Sequence, residues 1–196
     1  MAVEAVVLAA GRSTRTGTFK PTLPLLGKTI IENCIEPMYD LCSRIIVVVG
    51  HRKDEIIRVL QSYGKVQMVF NADYEGEMLV SVKLGIRHVT EDRFFIVPAD
   101  YPFIRKTTYQ RLLEASGDIV IPTFYGQSGH PVLFNSYHIP GILIVNEEHY
   151  SLRDYIQRAG AMRVEVNDPG IRFDIDTAND YRRALALTET GKRVRL

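Results

Sequence analysis

The sequence predicts an α/β fold: a Rossmann-like, doubly wound and mostly parallel sheet with helices on both faces. Three observations predict it. Apolar, β-branched runs recur along the chain, segments with apolar residues at helical spacing separate them, and the apolar runs are too continuous to leave one face wet. Strands alternating with helices build right-handed βαβ units and an open sheet. With 196 residues, 46% of them hydrophobic, the chain can bury one substantial core, so one domain over residues 1–196 is expected.

Taken in order, residues 4–9, 44–50, 66–70 and 93–100 read as buried parallel strands. Between them, residues 28–43, 52–64 and 77–89 carry helical periodicity, with Pro37 expected to kink or restart the first helix. Residues 107–116 then read as a helix, and residues 118–122 and 130–134 as strands. "YGQSG" between those strands is a hairpin or mobile loop, which predicts a small antiparallel edge element. A helix over 151–160 is bounded by Ser151 as N-cap and Gly160 as C-cap. A strand over 162–166 and a final helix from the Thr177 cap complete the pattern. Asp180, three residues after that cap, is placed to close a capping box.

The charge balance excludes some functions. Twenty-four Lys and Arg against twenty-three Asp and Glu leave a net charge of +1, so no basic excess points to nucleic acid. The N-terminal segment "MAVEAVVLAAGRS" lacks the leading basic cluster of a secretion signal and is too short to span a membrane. Cys34 and Cys42 lack metal-site spacing and read as reduced thiols in packing positions, which fits a cytoplasmic chain. The five histidines show no metal spacing either.

Any phosphate chemistry must therefore be local, and "LAAGRSTRTGTFK", residues 8–20, is where it concentrates. In open α/β sheets ligands bind beyond the carboxyl ends of the strands, and the first strand ends at "LAAG". Leu8, Ala9, Ala10 and Gly11 let the backbone approach a ligand closely, while Arg15 and Lys20 offer cationic donors for phosphate oxygens. Two commoner loops are excluded. Gly11 and Gly17 do not make GxGxxG, and the "GKT" at residues 27–29 has Thr22 where a P-loop needs its first glycine. A βα loop of this length with several cations exceeds the usual two to six residues of a plain connection.

Two carboxylate segments complete the constellation. Asp100 in "PADYPF" stands just past a buried strand, where it reads equally as a Mg²⁺ ligand or as a turn residue before Pro102. In "DIDTAND", Asp174 and Asp176 alternate with Ile175 and so share a face of an extended segment; spacing leaves open which of them would ligate.

The opening loop resembles the LAAGxSxRxGxxK signature of the molybdenum cofactor nucleotidyltransferases, the MobA-like NTP transferase family, and within it most nearly the molybdopterin cytidylyltransferases. "GHRKDEI", "NADYEGEMLVSVKLGI", "PADYPFI", "GHPVLF", "SLRDYI" and "DPGIRFDIDTANDY" resemble the same family's segments in the same order. Thr16 departs from the usual methionine, and "YEGEML" has an unusual order. The resemblance implies a fold of the nucleotide-diphospho-sugar transferase type and transfer of a nucleoside monophosphate from an NTP to a phosphate-bearing acceptor, with release of pyrophosphate. It implies Mg as cofactor, Asp176 as the metal-binding partner of Asp100, CTP as favoured nucleotide because LAAG replaces LAGG, and molybdopterin or molybdenum cofactor as acceptor. Arg15, Lys20 and Asp100 are then the catalytic candidates. Asn71 and Ser81 are candidates for the base, and His130, in a loop that the family places near the acceptor, is the acceptor-binding candidate.

An ionised phosphate monoester needs no general base, which accounts for the absence of a His or Cys nucleophile constellation. Two other readings remain: a sugar- or alcohol-phosphate nucleotidyltransferase, and a non-catalytic nucleotide-binding or cofactor-handling protein. Oligomeric state is not legible.

Overall fold

The computed structural model describes residues 2–12 and 18–189. β1 (Val3–Ala9), β4 (Arg44–Val49), β5 (Val66–Phe70) and β6 (Arg93–Pro98) form the parallel half of one large sheet. β7 (Ile119–Phe124), β9 (Val132–Asn135) and β10 (Met162–Glu165) extend it, in the order β10-β7-β9-β6-β1-β4-β5. β9 runs antiparallel to both its neighbours, and the two-residue β8 (Gln127–Ser128) folds back antiparallel on β7. The expected antiparallel element is present, with β9 taken into the sheet between β6 and β7. A separate hairpin pairs β2 (Pro24–Leu25) with β3 (Lys28–Thr29).

The strand runs are continuous because both faces are covered. Val7, Val47 and Phe95 meet α1 (Ile30–Tyr39), α2 (Lys53–Leu60) and α4 (Lys106–Leu113) on one side. Their alternating neighbours Val6, Ile46 and Phe94 meet α3 (Met78–Ile86), α5 (Ile139–Leu143) and α6 (Leu152–Ala159) on the other. Gly85 explains how closely α3 sits: a Cβ there would lie 2.4 Å from the Val6 side chain. A third cluster packs α7 (Ala178–Glu189) against Leu25, Ile30 and Ile175.

Local signals act as their chemistry dictates. α1 passes through Pro37 and ends two residues later. Ser151 and Asp154 close a capping box on α6, and Thr177 and Asp180 do the same for α7. The rejected P-loop segment proves to be the turn of the β2–β3 hairpin, with Leu26 and Gly27 at φ 54° and 78°, followed by Thr29 as the N-cap of α1. Because β4 and β6 flank β1 on opposite sides, the chain reverses its winding there and leaves a crevice at the carboxyl ends of β1 and β6.

Candidate active site

The crevice is a cavity of about 430 Å³ at that switch point. Its wall begins with Leu8, Ala9, Ala10 and Gly11, the backbone that leaves β1. The Ala99 N–H donates to the Leu8 carbonyl at 3.0 Å, so the ends of β1 and β6 are tied side by side and Asp100 is delivered to the same rim. The Ile175 N–H donates to the Asp100 carbonyl at 2.9 Å, which draws the segment carrying Asp174 and Asp176 onto that rim from across the chain. Phe173 and Ile175 are buried, so the intervening aspartates face the cavity.

Lys20 joins these parts. It opens a short 3₁₀ turn with Pro21, is 9% exposed, and donates from Nζ to Asp100 Oδ2 at 3.2 Å and to Asp176 Oδ1 at 3.1 Å. One ammonium thus lies between two carboxylates at the cavity wall. Burial pushes the Asp100 carboxyl above the ordinary carboxylate value, Asp176 and Asp174 push the same way, and Lys20 opposes them. The other oxygen of Asp100, Oδ1, is buried without a hydrogen-bond partner among the described residues.

An unpaired carboxylate oxygen beside a second and third carboxylate fits a hard divalent cation. Among the described residues no three His, Cys, Asp or Glu side chains form a complete metal cage.

The other sequence candidates divide. Arg15 lies outside the described residues. Ser81, 8% exposed at the first turns of α3, lines the cavity. Asn71 does not line it: its amide donates to Ser81 Oγ at 2.9 Å and its oxygen accepts from the Asp73 N–H at 2.9 Å, so it acts as a turn cap that fixes Ser81. His130 stands behind the cavity wall, edge-on to Tyr101 with ring centroids 4.8 Å apart, and burial lowers its pKa to about 4. Its Nδ1 is buried without a partner among the described residues.

Several lining residues stood outside the sequence candidates for the site. Tyr101 lines the wall beside Asp100 and touches His130, and Tyr74, which packs close to Ala10, lines the cavity with Met78. Arg12 also lines the cavity, pairs with Glu75 and stands 5.9 Å from the Tyr74 ring centroid. Gly50 permits this packing, since a Cβ there would meet Tyr74 at 2.4 Å and the Ala10 carbonyl at 2.7 Å. The "DY" and "NADYEGEM" contexts place an aromatic ring beside a turn, yet a turn tyrosine is too common to single out.

A doubly wound sheet with a cation, paired carboxylates and an open backbone wall at its switch point has the parts that nucleotidyl transfer needs, and the family match assigns the chain to the nucleotidyltransferases. The chain belongs to the family of the MobA-like NTP transferase domain, whose model matches residues 5–164. It is 28% identical over 183 residues to a molybdenum cofactor cytidylyltransferase of Escherichia coli, covering 92% of this chain and 94% of that one. It is 30% identical over 140 residues to a probable molybdenum cofactor guanylyltransferase of Natranaerobius thermophilus, covering 69% and 66%. In fold it is similar to a nucleotidyl transferase from Methanothermobacter, with a TM-score of 0.84 over 97% of this chain and 99% of that one at 24% identity.

Proposed function

We propose that the enzyme transfers CMP from CTP to a phosphate monoester on molybdopterin or the molybdenum cofactor, with Mg²⁺ as cofactor and pyrophosphate as the leaving group. The observation that carries this reading is the Lys20 ammonium seated between Asp100 and Asp176 at the mouth of the "LAAG" backbone wall. A pure nucleotide binder has no need to gather two carboxylates where a triphosphate would lie, because they repel it unless a metal ion intervenes. The full-length similarity to a cytidylyltransferase supports CTP and this acceptor over other members of the family.

Each residue then has a task. The backbone of Leu8 to Gly11 lies along the nucleotide, and Ser81, held by Asn71, offers its hydroxyl to the base. Arg15 and Lys20 offset the charge that grows on the β and γ phosphates as the bond to the α-phosphorus breaks. Asp100 and Asp176 would hold Mg²⁺, which supplies charge neutralisation at the phosphates. An oxygen of the acceptor phosphate forms the new bond to the α-phosphorus, pyrophosphate leaves in line with it, and no proton has to be moved because the monoester is already ionised.

Pyrophosphate release with molybdopterin as acceptor, measured with each NTP in turn, tests the proposal. CTP is expected to turn over at least tenfold faster than GTP and only with divalent metal. Release with no NTP, or equal release with a sugar phosphate in place of molybdopterin, would refute it.

A further inference from the structure

A second cavity of about 530 Å³ opens beside the first, and Asp174 lines both. Its volume lies in the range of small-molecule sites, and its lining differs in kind from that of the crevice. Phe173 is a buried face along its wall, Arg172 and Arg183 supply guanidinium groups, and Tyr125 stands at the rim with 84% of its surface exposed.

Three features set this lining apart from an ordinary polar surface. Arg172 has no carboxylate partner among the described residues, and Arg183 has only a long pair with Asp180 at 3.6 Å while lying 5.4 Å from the centroid of the Phe173 ring. Both cations thus keep donors for an incoming anion. Tyr125 holds a left-handed backbone, φ 48°, beside Gly126 at φ 73°, a conformation that is costly for a bulky residue. That turn is fixed by Glu165, whose carboxylate accepts from the Tyr125 N–H at 2.7 Å and from Thr123 Oγ1 at 2.6 Å. The chain therefore pins an exposed aromatic ring, itself packed on Phe124 at 4.5 Å between centroids, over a hollow whose lining sets the two guanidinium groups beside the carboxylates of Asp174 and Asp180.

The geometry links this hollow to the reacting end. Burial alternates along the segment: Phe173 and Ile175 are inside, while Arg172, Asp174 and Asp176 stand on the other face. Arg172 closes the 3₁₀ turn over residues 169–172 and the irregular segment 173–176 follows it, so the chain from Arg172 to Asp176 spans at most about 13 Å, and a molecule of that length with its phosphate at Asp176 reaches Arg172 with its far end.

We propose that this second cavity holds the body of the acceptor. The occupant is a phosphate monoester whose far end is a flat, polar heteroaromatic ring; Tyr125 covers the ring, and Arg172 with Arg183 hold its acidic or carbonyl edge. This rests on the nucleotidyl-transfer reading for the position of the phosphate, and it assigns acceptor recognition to these three residues rather than to His130. An aliphatic phosphate would leave the ring and the guanidinium groups without partners.

The test is binding of 6-hydroxymethylpterin phosphate, followed by its fluorescence, to the protein saturated with Mg²⁺ and the unreactive α,β-methylene analogue of CTP, with glycerol 3-phosphate as competitor. The pterin phosphate is expected to bind at least tenfold tighter than glycerol 3-phosphate. Arg172→Ala and Tyr125→Ala should each weaken it at least fivefold, Tyr125→Phe should restore it, and the CTP analogue should bind all variants within twofold of the parent protein, which also shows that they are folded. Unchanged pterin affinity in both alanine variants, no preference for the ring, or an equal loss of analogue binding would overturn the proposal. Turnover of molybdopterin that ignores both substitutions would sink this cavity and leave the transfer reaction standing. Loss of pterin binding in the variants, with no pyrophosphate released from any acceptor, would sink the reaction and leave the cavity.

Discussion

The two cavities flank Asp174, yet they are built by opposite means. The crevice beside β1 is framed by long parallel strands covered on both faces, with a small-residue backbone and a nearly buried lysine held by two carboxylates. The hollow beside Arg172 is framed by two short paired segments, an exposed turn and guanidinium groups with donors to spare. The first is assembled before its ligand arrives, since Lys20 already bridges Asp100 and Asp176, and its surplus of carboxylate charge is left for a cation to offset. The second is only partly satisfied, and its ligand completes it. Electrostatic preorganisation lowers barriers, whereas adaptable aromatic and arginine contacts select partners. The difference therefore separates turnover from acceptor choice, and substitutions in the two regions should separate in the same way.

The largest effect is expected at the carboxylate that both chemistry and geometry single out. Asp100→Asn keeps the shape of the side chain and removes its charge, so kcat should fall about 10³-fold, roughly 4 kcal/mol of transition-state stabilisation, with the acceptor KM little changed. A steady-state comparison checks this; a loss confined to KM would move Asp100 into the binding group.

Lys20→Met should come next. It removes a cation from the phosphates, and turnover is expected to drop about 10²-fold. The same change should also let Mn²⁺ alone bind more tightly, because Nζ now stands between Asp100 and Asp176 where a cation would sit. Paramagnetic titration without nucleotide reads this directly. Weaker bare-metal binding in the variant would show that the lysine supports the metal rather than competing with it.

A pair of glycines sharpens the contrast further. At Gly170 a Cβ would lie 2.2 Å from the Phe103 carbonyl, so Gly170→Ala must displace the segment that leads to Asp174 and Asp176. A stability loss of about 1–3 kcal/mol in urea unfolding is expected, as for other overpacked sites. At Gly11 a Cβ would meet nothing within 4 Å, so Gly11→Ala should leave stability unchanged and raise only the KM for nucleotide, by crowding the backbone wall.

A last contrast is a pH dependence that involves stability and not turnover. Burial lowers the His130 pKa from 6.5 to about 4, so the unfolded chain binds a proton between those values that the folded chain refuses. That contribution to stability is complete above pH 6.5 and is lost as pH falls toward 4; burial of His138 acts in the same direction. Replacing His130 by Gln should flatten the stability profile between pH 6.5 and 4.5, measured by denaturant midpoint, without shifting the acceptor KM.

How much of this was legible in the sequence follows from the range of the interactions. Caps act within a few residues, so Ser151 as N-cap and the Thr177–Asp180 box could be read directly, while Asp154 closing the box on Ser151 was seen only in the structure. Parallel strands buried on both faces announce themselves by continuous hydrophobicity, and the segments singled out by resemblance contain Leu8 to Gly11, Lys20 and Asp100, which line one cavity. Non-local choices were not legible. Nothing in residues 132–135 says that β9 will enter between β6 and β7, because that pairing is decided by what lies on either side. Lys20 meets partners 80 and 156 positions away, so the residues could be nominated while their junction could not. Asn71 shows the limit from the other side, since an amide suited to a base edge is equally suited to the turn that it caps.

The most direct test of the central claim is calorimetric titration of CTP into the parent protein and into Asp100→Asn, each with and without Mg²⁺. If Lys20, Asp100 and Asp176 form one site for metal and polyphosphate, Mg²⁺ should strengthen CTP binding at least tenfold in the parent, and that gain should vanish in the variant. An equal Mg²⁺ effect in both proteins, or none in the parent, would contradict the account.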